Sequence, residues 1–365
     1  MNKFLSNDSN RLINSIDSLN TNVQIVFENS IIHKINSKLK PILNNIQSLE
    51  GVKSYNNDKA EIISNLTYSQ FSNFSIPKVD KLLEYNYKHN TNQLKIICNS
   101  IPDVNLVNYL AKITFIFFSF FNIEYFSQKI IVILSNNKKT ISEGILGPKN
   151  VNSGFTIISS GDIYLYRKEE IVKVLIHELI HSTKKDLKLN VTKVYNRIVN
   201  NIFSLDNVLV NESFTEFLTC ILNTVFNISY YDFIFKTNYI NSLDTYIENE
   251  IVFSLVQTCK ILDHNRIGNI YKLDKYREES NIFAYYILKS ILLYNIDTFI
   301  HNIFNINDND NILFLKDIFS YKKMAIYNRE LEVVEKNLIE TLPETFIRNN
   351  LRMTLYEFNL NALKR

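Results

Sequence analysis

The amino-acid sequence predicts a predominantly α-helical protein of the α+β class, in which a small strand-containing subdomain packs against helical N- and C-terminal regions. The 365 residues are 46% hydrophobic and 21% charged, which is an ordinary balance for a folded globular chain. Only six glycines and five prolines are present, fewer than a turn-rich sheet protein needs. Apolar residues recur mostly at the helical spacing, and strand-like runs are confined to the middle of the chain.

This pattern divides the chain into three regions. Residues 1–100 are predicted to form a helical N-terminal region, in which a second helical stretch starts at Val79. Residues 101–205 are predicted to contain a short sheet and a buried helix. Residues 206–365 are again mostly helical in pattern, so we expect a helical C-terminal subdomain.

The most apolar run covers residues 113–123 and is bounded by Lys112 and Glu124. It is too short to span a bilayer. We expect a buried core helix here, with a membrane-associated segment as the alternative, and therefore no transmembrane segment. The first residues, MNKFLSNDSNRL, lack the apolar stretch of a standard secretory signal.

Composition excludes several other classes of protein. The formal net charge is +3, and lysine and arginine are scattered, so we expect no nucleic-acid partner. Three distant cysteines without a CxxC pair indicate neither a disulfide framework nor a cysteine metal site, which favours a reducing, cytoplasmic compartment. Abundant Asn, Ile and Lys fit an A/T-rich genome, whether viral, protist or bacterial. No feature of the sequence indicates an oligomeric state.

Short β-branched and aromatic runs at 129–135, 154–158 and 162–166 are strand candidates. The Ser-Ser-Gly sequence at 159–161 is suited to a hairpin turn between the second and third runs. A helix is predicted directly afterwards, with the two glutamates at 169–170 in its first turn, where the helix dipole favours negative charge.

That helix contains the sequence IVKVLIHELIHS, in which His177, Glu178 and His181 form an HExxH motif. Residues four apart lie on the same face of a helix, so both imidazoles can bind one tetrahedral zinc ion. Glu178 lies close to the same point without being a ligand, and it is the predicted base that takes a proton from water. The apolar residues around the motif indicate that the helix is buried, where uncompensated polar groups are costly.

A third ligand must come from further along the chain. A histidine six residues after the motif would complete one common ligand set, but Leu187 stands there and Lys184 replaces the usual glycine. Asp186 is a conceivable ligand. Glu212 and Glu216, one turn apart in a predicted apolar helix, are better candidates. The alternatives are that Glu216 is the ligand, or that both are surface charges.

At this point the sequence resembles the gluzincin metallopeptidases, the thermolysin-like group, in which a later helix carries Asn-Glu and a second acid four residues on. Asn211, Glu212 and Glu216 match that pattern. The resemblance implies a zincin-like subdomain at 101–205, Glu212 as third zinc ligand, and Glu216 as a carboxylate that orients a ligand histidine. It also implies that a substrate strand adds to the edge of the hairpin at 154–166. The resemblance covers about residues 152–226. The interval between the HExxH motif and the implied third ligand is longer than in thermolysin.

These observations predict a zinc-dependent metallopeptidase that hydrolyses peptide bonds of a protein or peptide substrate, using Glu178 and a zinc site of His177, His181 and Glu212. Enzymes of this type also supply a donor to the oxyanion. The candidates, which sequence does not separate, are His264, Arg277, Tyr285 and Tyr286.

Two other functions remain open from sequence. One is a catalytically silent structural or interaction protein stabilised by zinc. The other is a helical scaffold or virion component in which the motif is accidental. Metal content separates the accidental motif from the other two, and peptide turnover separates the peptidase from the silent protein.

Overall fold

The computed structural model describes residues 4–19, 21, 23–24, 28–68, 79, 81–99, 103–205, 208–300, 307–341 and 345–359. The fold is predominantly α-helical and of the α+β class, as predicted. The helices are α1 Asn7–Ile16, α2 Asn29–Asn45, α3 Lys59–Tyr68, α4 Val104–Phe120, α5 Pro148–Val151, α6 Ile171–Ser182, α7 Leu189–Phe203, α8 Val210–Phe235, α9 Leu243–His264, α10 Lys289–Tyr294, α11 Asp308–Ile318, α12 Tyr321–Thr341 and α13 Thr345–Asn349. The strands are β1 Val52–Asn56, β2 Leu82–His89, β3 Asn92–Asn99, β4 Ser127–Ser135, β5 Gly154–Thr156 and β6 Ile163–Arg167.

The six strands form one mixed sheet in the order β1-β2-β3-β4-β6-β5. The first three strands pair antiparallel, β3 and β6 pair parallel with β4, and β5 pairs antiparallel with β6. The predicted hairpin at 154–166 is therefore present, and Gly161 adopts a φ of 76° in its turn. This arrangement leaves β5 at one edge of the sheet, beside α6.

The prediction of helix from Val79 onward is wrong for residues 82–99, which form the β2–β3 hairpin. Alternate residues of β2 (Leu83, Tyr85 and Tyr87) are buried, which is the period of a strand with one buried face. Asn90 takes the left-handed conformation in the turn, with a φ of 54°, where a glycine would have marked the hairpin. The sheet therefore includes residues from both the first and the second predicted region.

Residues 113–120 of the apolar run lie in α4 and are buried apart from the exposed Ser119, which confirms the predicted core helix; residues 121–123 follow the end of the helix. Phe115, Ile116 and Phe117 are each at most 1% exposed. This helix packs against α2 and against α6, the helix that carries the HExxH motif. Among the described residues, no helix is both long enough and apolar enough to cross a membrane.

Residues 350–358, here called the C-terminal segment, run through the interior mostly without regular secondary structure. Leu351–Tyr356 are all buried, so their backbone groups need internal partners. Side chains supply several of them: Glu170 Oε1 accepts from the backbone N–H groups of Met353 (2.8 Å) and Thr354 (2.7 Å), and Lys289 donates to the Met353 carbonyl at 2.7 Å. The segment thus joins the start of α6 to the helices of the C-terminal half.

The prediction that Glu169 and Glu170 lie in the first helical turn is wrong, because α6 begins at Ile171 and both glutamates precede it. Glu170 is the residue directly before the helix, with a φ of 58°, and its carboxylate is buried. Lys139 Nζ lies 2.6 Å from its Oε2 atom, and both side chains are at most 1% exposed. The buried charge of Glu170 is therefore stabilised by tertiary contacts and not by the helix dipole.

Glu170→Ala is expected to lower the free energy of unfolding by about 3–5 kcal/mol, because it leaves a buried lysine and two backbone N–H groups without their acceptor. Glu170→Gln is expected to cost less, since the amide oxygen still accepts from the backbone. Urea denaturation measures both. The exposed Glu143→Ala serves as control and should stay within about 0.5 kcal/mol of the unmodified chain. A Glu170→Ala effect as small as that of the control would refute the assigned role.

Candidate metal centre

The centre is built between the facing surfaces of α6 and α8. Lys173, His177 and His181 are spaced by four residues and share one face of α6, and Glu212 and Glu216 share one face of α8. The two helices run in opposite directions, so the later glutamate of α8 faces the earlier residues of the α6 row. Glu216 contacts Lys173 and His177, and Glu212 faces His177 and His181. Because α6 and α8 pack closely, residues distant in sequence meet at one point.

Three ligand atoms converge at this point. The Nε2 atoms of His177 and His181 lie 2.9 Å apart, and Glu212 Oε2 lies 3.3 Å from the first and 3.6 Å from the second. Ligand atoms about 2.0–2.1 Å from a tetrahedral ion are about 3.3–3.4 Å from one another. The spacing of these atoms therefore fits a small tetrahedral cation such as zinc.

The burial of Glu212 also fits a metal. Its Oε2 atom is buried and, among the described residues, meets no donor in hydrogen-bond geometry. A buried carboxylate oxygen without such a partner is costly unless a cation compensates it. Within the described part of the chain, His177, His181 and Glu212 form a group of three potential metal ligands with atoms within 4.8 Å of one another.

Each ligand histidine has a carboxylate at its other ring nitrogen. Glu216 Oε1 lies 2.9 Å from His177 Nδ1, and Asp186 Oδ1 lies 3.0 Å from His181 Nδ1. The hydrogen bond at His181, and the charge of the carboxylate beside His177 Nδ1, favour the tautomer whose Nε2 lone pair faces the point where the three atoms converge. Asp186, considered from sequence as a conceivable ligand, faces the outer side of His181 and accepts a hydrogen bond from Thr215 at 2.7 Å.

Lys173 is the residue of the centre that sequence analysis did not single out. Its side chain is 2% exposed, and its ammonium group contacts Glu216 Oε1, the same oxygen that faces His177. The sulfur of Met353, in the C-terminal segment, lies 3.4 Å from the ammonium group. A lysine four residues before a motif histidine was the only sequence signal, and in isolation it is indistinguishable from a surface charge.

The electrostatics of the centre favour positive charge between His177, His181 and Glu212. Burial favours the neutral imidazole of His181, but two carboxylates outweigh it: Asp186, which is hydrogen-bonded to the ring, and the nearby Glu212. Together they raise the pKa of His181 to about 11. Burial also opposes the charge on Glu212, but the two histidines hold its pKa well below the usual range. The carboxylates that favour a protonated imidazole at this point would also favour a bound cation.

Glu178 lies next to the ligands and is 5% exposed. Burial raises its pKa above the usual range, although the nearby histidines oppose this. Its Oε2 atom accepts a hydrogen bond from the Thr156 hydroxyl at 2.8 Å. Thr156 belongs to β5, so the edge strand contacts the predicted base directly.

The four oxyanion candidates separate clearly in the structure. His264 is bonded to the Gly144 carbonyl, and Arg277 donates to nearby backbone carbonyls. Tyr286 is fully buried and donates to the carbonyl of Leu351.

Tyr285 is the candidate that reaches the centre. It is half-buried, and its ring centroid lies 6.3 Å from that of His177. It belongs to a π-helical turn, Phe283–Leu288, a feature found frequently at functional sites. Its hydroxyl oxygen accepts a hydrogen bond from Asn281 Nδ2 at 3.4 Å, and this bond does not use the proton of the Tyr285 hydroxyl. Burial raises the pKa of Tyr285 well above its usual value, so the hydroxyl keeps that proton.

Comparison with known proteins gives one informative match. Over 310 residues the chain is 26% identical to an uncharacterized protein of Acanthamoeba polyphaga mimivirus, and the alignment covers 76% of this chain and 77% of the viral protein. No family model matches the chain. No solved structure matches it. The similarity therefore assigns no activity.

Proposed function

We propose that this protein is a zinc-dependent metallopeptidase that hydrolyses peptide bonds of a protein or peptide substrate. The observation that carries the proposal is the convergence of two imidazole nitrogens and a buried carboxylate oxygen on one point, with Glu178 beside it. Two histidines and one carboxylate are a ligand set of catalytic zinc sites, which keep the fourth position open.

His177, His181 and Glu212 would hold the ion, while Glu216 and Asp186 would keep the two imidazoles in the binding tautomer. A bound zinc ion would supply a Lewis acid that polarises the scissile carbonyl and makes water more acidic. The gluzincin resemblance of the HExxH and Asn-Glu sequences supports the same assignment.

Glu178 performs the proton transfers in the proposed reaction. Its carboxylate takes a proton from the attacking water, whose oxygen bonds to the carbonyl carbon. The same carboxyl group then gives that proton to the amine nitrogen as the carbon–nitrogen bond breaks. Burial raises the pKa of Glu178, and a raised pKa suits a group that must first accept and then release a proton near neutrality.

Tyr285 is the proposed donor to the oxygen that becomes negative during attack. Its half-buried ring lies beside His177, and its hydroxyl retains a proton. A preorganised donor of this kind stabilises the transition state more than the ground state.

Tyr285→Phe is expected to lower kcat by about 100-fold, with little change in metal content, because one oxyanion donor is removed. Tyr286→Phe is the matched control. It removes a buried hydroxyl that bonds the Leu351 carbonyl, so it should reduce stability by about 1–3 kcal/mol and leave kcat nearly unchanged. Steady-state kinetics and thermal unfolding of both variants are the measurements. Equal kcat values for the two variants would remove Tyr285 from the mechanism.

The substrate would lie along β5, the edge strand next to α6. Extended peptides add readily to an exposed strand edge, where main-chain hydrogen bonds supply affinity. This geometry would place the scissile bond near Glu178, because Thr156 of β5 already contacts that residue.

The test of the proposed function is hydrolysis of denatured protein and peptide libraries by the full chain. We expect cleavage that a zinc chelator abolishes and that added zinc restores. A cleavage rate that the chelator leaves unchanged, or absence of cleavage with zinc present, would contradict the proposal.

We also propose that the protein works in the cytoplasm, which would be the host cytoplasm if the source is viral. Its three cysteines are buried and unpaired, as suits a reducing compartment. The similarity to a mimivirus protein supports a viral source among those that the composition permits.

A further inference from the structure

Thr156 contacts Glu178 in a way that neither the motif nor the ligand set requires. Its hydroxyl donates to Glu178 Oε2 at 2.8 Å and also lies 3.2 Å from the Glu178 carbonyl oxygen. The carboxylate is the closer and, being charged, the stronger acceptor. The hydroxyl therefore fixes one of the two carboxylate oxygens of the predicted base.

The backbone of the same residue faces the open edge of the sheet. Tyr166 N–H bonds the Ser153 carbonyl, and Ile157 N–H bonds the Asp162 carbonyl. Backbone groups alternate between the two sides of a strand, so Phe155 also directs its groups toward β6. The N–H and C=O groups of Thr156 then point away from β6, and within the described part of the chain no further strand pairs with β5.

The position of β5 against α6 is rigidly determined. A Cβ atom at Gly154 would lie 2.8 Å from a side-chain carbon of Val174 and 2.9 Å from the Tyr164 carbonyl oxygen, so only glycine allows this close approach. On the opposite face, the Phe155 and Tyr164 rings stack at 4.7 Å. The strand thus holds the Thr156 hydroxyl in place before substrate arrives.

We infer that Thr156 is a positioning residue with two roles: its backbone pairs with the substrate strand, and its side chain orients the predicted catalytic base, Glu178. This inference rests on the proposed peptidase function. The bond to Oε2 leaves Glu178 Oε1 to take the proton from water and to pass it to the amine nitrogen. The Thr156 proton stays on its own oxygen throughout.

The test compares Thr156→Val with Thr156→Ser in the full, zinc-loaded chain. Valine keeps the shape and the strand preference but cannot donate, whereas serine keeps the hydroxyl. We expect Thr156→Val to lower kcat by about 10- to 100-fold, since a misplaced catalytic group costs this much, with KM within about twofold. Thr156→Ser should stay within about threefold of the unmodified chain, and both variants should bind zinc normally.

A kcat for Thr156→Val within about threefold of the unmodified chain would overturn the inference, and so would a raised KM with unchanged kcat. If the valine variant folds poorly, Thr156→Ala replaces it under the same expectations. A crystal structure of zinc-loaded Thr156→Val gives a readout independent of turnover, because the Glu178 carboxylate should rotate away from its native orientation. An unchanged orientation would overturn the inference. Failure of the unmodified chain to cleave peptides would instead refute the proposed function.

Discussion

Glu178→Gln is expected to retain the metal and the fold and to lose hydrolysis by about 100-fold or more. The amide keeps the shape of the side chain and can still accept a hydrogen bond from Thr156. It cannot take a proton from water, and general-base catalysis typically contributes about 10²–10⁴ to a rate. Turnover of a peptide substrate and zinc content are measured on the same preparation.

The matched control is Glu212→Gln, the same chemical change on a predicted ligand. It should remove most of the metal, whereas Glu178→Gln should leave metal binding intact. Loss of zinc from Glu178→Gln would mean that Glu178 is itself a ligand. Unchanged turnover would exclude Glu178 from the mechanism. An unmodified chain that binds zinc without any hydrolysis would favour the zinc-stabilised structural protein.

The second large effect is expected on zinc affinity. His177→Ala and His181→Ala should each abolish zinc retention, because two remaining ligands hold zinc poorly. Glu212→Gln should come close to the same loss, since a neutral amide oxygen is a much weaker ligand than a carboxylate. Competition with a chelator of known affinity gives the zinc dissociation constant of each variant.

The carboxylates behind the histidines should show intermediate effects. Glu216→Gln and Asp186→Asn are each expected to weaken zinc binding by about 10- to 100-fold without abolishing it. Asp186→Asn is the cleaner variant, because Glu216→Gln also leaves the buried Lys173 without its partner. If Glu216→Gln is more damaging than Glu212→Gln, the two glutamates have exchanged roles. If Asp186→Asn removes the metal and Glu212→Gln does not, Asp186 is the ligand.

The sequence predicted the parts of the site that depend on local periodicity. The four-residue spacing of His177 and His181 places them on one helix face whatever the rest of the fold is. The strand hairpin before this helix was predicted from alternating β-formers and a glycine turn, and it is present. Glu212 and Glu216 could be singled out because two carboxylates are unusual in an apolar helix, although their separate roles came from the family resemblance.

The remaining features depend on contacts between distant residues, which local patterns do not encode. Thr156 meets Glu178, and Glu170 meets the C-terminal segment, only because β5, α6 and that segment pack together. Lys173 looks like a surface charge, and the place of Asp186 on the outer side of His181 is not visible, until α8 packs against α6. The β2–β3 hairpin was missed for a local reason, since an asparagine takes the turn position where glycine would have been recognised.

The claim that His177, His181 and Glu212 form a metal centre is tested most directly by titrating metal-free chain with zinc. We expect saturation at about one zinc per chain, with tight binding that His181→Ala abolishes. Zinc uptake near zero at saturating concentration, in a chain that is demonstrably folded, would contradict it.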